Sequence, residues 1–205
     1  LADEIPGEPH TPAKSEPSYY GGDIPWYTSS ATNEKFARQP EATITDKALN
    51  ETNCKVFPAG SLIVALYGQG KTRGQISEIT VAGATNQALA ALVFFKSSFK
   101  SKRFIKYYFE KIYDEIRLQA EGGPQPNLNV RKIKETLIPV PPIEEQKRIV
   151  ARLDELMLIC DQMEKQFRDS RKLAKRLAVS AVASLTGIAI EQEEVSPLSE
   201  AEAVI

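Results

Sequence analysis

The chain has 205 residues, 42% apolar and 26% charged, which suits one folded domain, or a small domain with an appendage, and excludes disorder throughout. Its 26 Lys and Arg against 27 Asp and Glu leave a formal charge of -1, so it is not a uniformly basic chain that coats nucleic acid by charge alone. That neutrality is a cancellation: residues 1–60 hold 5 basic and 9 acidic groups, residues 61–190 hold 21 and 13, and residues 191–205 hold 5 acidic groups and no basic one.

Residues 1–25 contain Pro6, Pro9, Pro12, Pro17, Pro25 and the pair Gly21-Gly22 without helical or strand periodicity. They read as irregular chain entering a domain. Trp26-Tyr27, followed by the polar run Thr28 to Asn33, reads as a strand end opening into a surface loop. A short helix fits Asp46 to Glu51. Ser61 to Tyr67, introduced by Pro58-Ala59-Gly60, is a continuous apolar run of the kind found in a covered sheet. It ends in Gly68-Gln69-Gly70-Lys71-Thr72-Arg73-Gly74, where glycine freedom and basic side chains sit together. Gln75 to Val81 alternates with period two and, with that loop, predicts a hairpin. Ala88 to Phe95 is a further apolar run, so the first 95 residues read as mainly β.

From Ser98 to Ala120, Phe99, Phe104, Ile105, Tyr108, Phe109, Ile112, Tyr113 and Ile116 recur at steps of three and four. This predicts one amphipathic helix of about 20 residues. The glycines and prolines of residues 121–128 end it. A short helix over Asn129 to Glu135 and a strand-like Leu137-Ile138-Pro139-Val140 follow. Pro141-Pro142 then precedes Ile143-Glu144-Glu145, the arrangement a helix start favours. The helix is predicted to reach about Leu185, a length of about 64 Å. Along it Ile149, Leu153, Leu156, Cys160, Met163, Phe167, Ser170, Ala174, Leu177, Ala181 and Ser184 follow alternating steps of four and three. That is a heptad seam, large at first and small later, and it predicts a coiled-coil or helix-pair role. The last 15 residues, with five glutamates, resemble an acidic tail.

Catalytic chemistry is sparse. Cys54, Cys160 and the single His10 support neither a disulfide framework nor a Cys-based zinc site, and a His-based triad would have to draw on His10 in its proline-rich segment. No run of 18 apolar residues and no basic-plus-apolar leader is present, which makes a reducing cytoplasm the expected location. The chain opens at Leu1, as an excised fragment or a tag remnant would. The Gly68 to Gly74 loop lacks the spacer and the terminal Gly-Lys-Ser/Thr of a P-loop. It reads either as a hairpin turn with solvated bases or as a turn set against nucleic acid. In the second case Thr72 and backbone amides meet phosphate, while Lys71 and Arg73 meet phosphate or base edges. Asn86-Gln87 either ties down a turn or makes bidentate contacts with adenine. The stretch Lys102-Arg103-Phe104-Ile105-Lys106-Tyr107-Tyr108, with Lys100 just before it, leaves its lysines as a phosphate-steering face.

Gly22-Asp23-Ile24-Pro25-Trp26, the Gly68 to Gly74 loop, Ala84-Thr85-Asn86-Gln87-Ala88, the Pro126-Asn127-Leu128 turn, and Ile138-Pro139-Val140-Pro141-Pro142-Ile143-Glu144-Glu145-Gln146 leading into a long helix occur in one order. In that combination the chain resembles the specificity subunit of type I restriction-modification enzymes over roughly residues 20–185. The resemblance implies an α+β fold: a mainly β target-recognition domain with peripheral helices over residues 1–141 (1–20 an irregular lead-in), a long coiled-coil spacer or dimerisation helix over 142–185, and an acidic tail over 186–205.

It also implies DNA sequence recognition without catalysis in this chain. The expected partners are double-stranded DNA, modification (methyltransferase) subunits and a restriction subunit, with no membrane. S-adenosylmethionine, ATP and Mg belong to the partner subunits, and no cofactor or metal is expected here. A complete specificity subunit carries two recognition domains and two antiparallel spacer helices, so one of each implies a half-size subunit that pairs with itself, or the carboxy-terminal half of a longer one. The residues expected at DNA are Tyr67, Gln69, Lys71, Thr72 and Arg73, then Ser29, Ser30 and Asn33, with Lys100 and Lys102 on phosphate. Ile149, Leu153, Leu156, Cys160, Met163, Phe167, Ala174, Leu177 and Ala181 are expected in the paired helix. The alternative is a coiled-coil interaction scaffold without sequence-specific DNA binding.

Overall fold

A computed structural model describes residues 2, 4–5, 11–38, 40, 42–68, 71–95, 98–121 and 128–186. Their contacts divide the chain into one unit over Leu1–Ala151 and a second over Arg152–Ile205.

Two four-stranded sheets form the first unit. The strands are β1 (Tyr20–Tyr27), β2 (Phe36–Ala37), β3 (Ala42–Ile44), β4 (Val56–Phe57), β5 (Leu62–Ala65), β6 (Ile76–Ile79), β7 (Gly83–Thr85) and β8 (Leu89–Leu92). One sheet runs β3-β1-β7-β4 and the other β2-β6-β5-β8. The apolar run over β5 has a direct cause: every residue of the strand is buried. Successive side chains of a strand point to opposite faces. Leu62, Val64 and Leu66 therefore join Phe104, Ile105, Phe109, Ile112 and Ile116 in one core, while Ile63 and Ala65 join Tyr27, Phe57 and Val93 in another. The predicted hairpin is present, with β5 and β6 antiparallel and Ile63 opposite Ser77. A third cluster holds Trp26, Ile44, Ala48, Cys54 and Ala84.

The last part of the stretch 1–25 that reads as irregular is strand, because Gly21 and Gly22 lie inside β1. The register of β1 against β3 shifts between Tyr20 and Ile24. At Gly22 the chains approach so closely that a Cβ would lie 2.5 Å from the Ile44 carbonyl oxygen. Glycine there serves strand contact and not a turn. Helix α1 (Asp46–Glu51) occupies its expected place, with the Thr45 side chain accepting from the Ala48 N–H, the usual role of an N-cap hydroxyl.

The single helix expected over Ser98 to Ala120 is two helices, α2 (Lys102–Lys111) and α3 (Tyr113–Glu121), after a 3-10 turn at Ser98–Ser101. The backbone opens at Ile112 (ψ 15°). The bonds from Ile112 N–H to Tyr108 O and from Ile116 N–H to Ile112 O still carry across the junction, so the apolar face stays continuous. Helix α4 (Val130–Lys134) begins at Asn129, whose side chain accepts from the Lys132 N–H. Leu137 to Val140 forms no strand. Pro139 has no N–H for a ladder, and Leu137 is 89% exposed.

The lysines expected on the outer face of this helical region divide. Lys102 is 6% exposed and its ammonium lies 2.7 Å from the Glu78 carboxylate. It is therefore turned inward to β6 and not toward phosphate. Lys106 is also buried; it donates to the Lys35 carbonyl and sits 4.1 Å from the centre of the Phe36 ring.

Helix α5 (Ile143–Thr186) is the long helix. Gln146, 4% exposed, secures its start by donating from Nε2 to the Pro141 carbonyl at 2.8 Å. Ile149 and Val150 pack on the α2/α3 core of the first unit. Within the second unit Leu156, Met163, Phe167 and Leu177 are 42%, 62%, 73% and 62% exposed. Ion pairs along the helix, Lys147 with Glu144, Arg152 with Glu155 and Arg168 with Glu164, are worth only about 0.3–0.5 kcal/mol each at exposed sites. From residue 187 on, the expected acidic tail lies outside the described residues.

Removing one partner of a buried ion pair strands the other. Lys102→Ala is expected to cost about 3 kcal/mol of folding free energy, read from urea unfolding, and the double substitution Lys102→Met with Glu78→Leu to recover most of it.

Candidate nucleic-acid interface

Two segments of the first unit meet at one place. The first follows β1, where a 3-10 turn spans Ser29–Asn33. It is closed by Ala31 N–H to Thr28 O at 3.0 Å and by Thr32 Oγ1 to Ser29 O at 2.7 Å. Thr32 is buried while Ser30 and Asn33 are exposed, so the turn has a fixed root and a polar outer side.

The second segment joins β5 to β6. Its neck is set by Gly74 N–H to Ala65 O at 2.8 Å and Ala65 N–H to Gln75 O at 2.9 Å. Gly74 has φ +86° and is buried; a Cβ there would lie 3.3 Å from Arg117 Cγ. The Tyr113 hydroxyl donates to the Lys71 carbonyl, and Arg117 donates to the Arg73 carbonyl at 3.3 Å and to the Tyr113 hydroxyl at 2.8 Å. The loop backbone is thus held from α3 while Lys71 is exposed.

Thr72 Oγ1 lies 3.5 Å from Asn33 Oδ1, at the outer limit of a hydrogen bond, and joins the two segments. Between them is a cavity of about 300 Å³ lined by Asn33, Lys35, Lys71, Gln75, Glu110 and Tyr113 among others. Burial pushes the Glu110 carboxyl above the usual range, against the pull of Lys106 and Lys35. Burial likewise lowers the Lys106 ammonium, against Glu110 and Glu78. The arrangement offers cations and neutral hydrogen-bonding groups side by side, the mixture that holds phosphates and reads base edges.

Of the residues expected at DNA, the structure brings Ser29, Ser30 and Asn33 on one segment together with Lys71, Thr72 and Arg73 on the other. Tyr67 is half-buried and packs on the α2/α3 core. Gln69 lies outside the described residues. Lys100 is exposed on the turn before α2, and Lys102 is turned away into its pair with Glu78. Lys35, Glu110, Tyr113 and Arg117 also belong to the place and were not expected there. Tyr113 falls in the apolar stripe and so reads as core; only the position of Lys35, two residues past the polar run, signalled its neighbourhood. Asn86 Oδ1 accepts from Ala88 N–H at 3.0 Å, and Gln87 Oε1 accepts from the Thr11 N–H at 3.2 Å. In this structure the pair ties down a turn.

Among the described residues, no group of three or more His, Cys, Asp and Glu could hold a metal ion. No described helix is long and apolar enough to cross a membrane.

Residues 4–170 match the family model described as the type I restriction modification DNA specificity domain. The chain belongs to this family. Curated relatives of this specificity domain include the type I restriction enzyme MjaIX specificity subunit of Methanocaldococcus jannaschii, 28% identical over 82% of this chain and 39% of that protein. Another is the EcoR124I/EcoR124II specificity subunit of Escherichia coli, 27% identical over 70% of this chain and 36% of that protein. Among solved structures, a chain from work on assembly and conformational transition of the type I R-M system superposes with TM-score 0.64 at 21% identity, over 83% of this chain and 40% of that one. The HsdS subunit from Thermoanaerobacter tengcongensis gives 0.55 at 21% identity, over 78% and 36%. These superpositions share the fold. The chain spans about two fifths of the length of the relatives it matches.

Glu110 binds its proton more tightly in the folded specificity domain than in the unfolded chain. From its ordinary value of 4.5 up to the raised folded value, the folded state holds the extra proton and stability falls as pH rises. Glu110→Gln is expected to flatten urea midpoint against pH over that window, with its advantage over the parent growing to a plateau. Parallel profiles for the two proteins would exclude this.

Proposed function

We propose that this chain is a non-catalytic DNA sequence-recognition subunit of a type I restriction-modification complex, or one recognition half of such a subunit. It reads one half of a bipartite target and positions partner methyltransferase and restriction subunits. The observation that carries the reading is the meeting of the Ser29–Asn33 turn with the Lys71 to Gly74 loop, which sets two polar reading segments on one place. The family match over residues 4–170 and the specificity-subunit names of the relatives support it. Residues 1–141 then form the target-recognition domain, 142–185 the spacer helix and 186–205 an acidic tail. Action on cellular DNA puts the protein in the cytoplasm. S-adenosylmethionine, ATP and Mg serve the partner subunits.

In this reading Lys71, Thr72, Arg73, Ser29, Ser30 and Asn33 face the duplex, with Lys100 on phosphate. Loss of a bidentate base contact costs about 1–3 kcal/mol and relaxes selection at that base pair, whereas loss of a phosphate contact weakens all sequences alike. The complex of this chain with its cognate modification subunit, profiled on a random duplex library, is expected to select one split motif. Lys71→Ala or Arg73→Ala is expected to relax defined positions of it. No selection in any complex would leave the scaffold alternative.

As a half-size protein, the chain would pair with a second copy along α5. Antiparallel alignment sets Leu153 against Leu177 and Met163 against Phe167, two large pairs, with Leu156 against Ala174 and Cys160 against Ser170 between them, so that seam meets seam along the helix. The exposure of this seam within the second unit supports the pairing. Sedimentation is expected to give twice the chain mass, and Leu156→Asp with Leu177→Asp the single mass. Under oxidation Ser170→Cys is expected to create a crosslink between Cys160 and position 170 of the other copy; a link between two Cys160 side chains would mean parallel pairing.

A further inference from the structure

The loop after β5 carries glycine at Gly68 and Gly74 and is turned by Gln75 N–H to Thr72 O at 3.0 Å. Reading base edges through direct hydrogen bonds needs side chains held within about 0.5 Å of their working positions. The means to do so come from α3.

We propose that Tyr113 and Arg117 are positioning residues for base recognition: they grip the carbonyls of Lys71 and Arg73 and hold the loop in one register against the duplex. This rests on the DNA-recognition reading above. The direction of the bonds is forced. Arginine donates hydrogen bonds and accepts none, so the Tyr113 hydroxyl accepts from Arg117 at 2.8 Å and turns its own proton to the Lys71 carbonyl. The guanidinium polarises the phenol and strengthens that second bond. Arg117 also donates to the Arg73 carbonyl at 3.3 Å, so two loop residues hang from one charged group. Gly74, at φ +86°, lies where a side chain would press on Arg117 and the Tyr113 ring, which keeps the loop neck seated on the pair. Through Thr72 and Asn33 the same hold reaches the Ser29–Asn33 turn.

The test uses the full chain in complex with its modification subunit on a random duplex library. Lys71→Ala and Arg73→Ala first identify the base positions the loop reads. Tyr113→Phe, which removes the hydroxyl and so both the bond to Lys71 and the acceptor for Arg117, and Arg117→Met are expected to lower discrimination roughly tenfold at those same positions. Other positions and subunit assembly should be unchanged, with melting temperature within about 2 °C. Added to the combined Lys71→Ala and Arg73→Ala substitutions, Tyr113→Phe should cost no further discrimination, because it acts through a loop that no longer reads. Parent-like discrimination in Tyr113→Phe, or an even loss at all positions with a lowered melting temperature, would overturn the proposal. Should Arg117→Met fail to fold, Tyr113→Phe decides alone. If Lys71→Ala and Arg73→Ala leave the profile unchanged, the recognition reading itself falls, and this inference with it.

Discussion

Burial of β5 on both faces is the constraint from which the rest of the first unit follows. A strand covered on both sides must feed two cores, and Leu62–Ala65 does so by alternation, even residues toward the helices and odd residues toward Tyr27 and Phe57. Its edges are taken by β6 and β8, leaving no ladder group open. The loop to β6 begins one residue later, at Leu66, itself fully buried and bonded through its N–H to Ala88 and through its carbonyl to Leu128. The loop is thereby rooted in a strand buried on both faces, a scaffold that positions the surface segment it carries.

The charge gradient along the chain overstates the field that DNA would meet. Residues 61–190 carry eight more basic than acidic groups, yet Lys102 is spent on Glu78 and Lys106 on a carbonyl and an aromatic ring. Inward lysines of this kind stabilise and do not steer. Fewer cations remain for long-range attraction, in keeping with the proposal that the chain meets DNA alongside partners.

Elements whose periodicity answers to burial were legible in the residues: β5, the alternating β6, the apolar face of α2 and α3, and the long helix after Pro141-Pro142. The break at Ile112 was not, since a single turned ψ leaves the spacing of apolar residues intact. Gly21-Gly22 misled because glycine marks a turn and a close strand approach with the same letter. Leu137 to Val140 has strand-like composition, but Pro139, without an N–H for a ladder, decides against pairing. At the candidate site the loop residues could be named from glycine and basic content. Tyr113, Arg117 and Glu110 could not, because their role depends on which strand loop the helix face meets, a relation across 40 residues that local pattern does not encode.

The α3 grip has a consequence for change. Tyr113 and Arg117 hold carbonyl oxygens, and every residue type carries one of those. The exposed side chain at position 71 is therefore not what keeps the loop in place, whereas Gly68 and Gly74 are tied to their identity by φ and by space. A loop hung from its backbone can exchange exposed side chains such as Lys71 while the frame stays put, and on the proposed reading such an exchange would change the target while sparing the contacts that hold the fold.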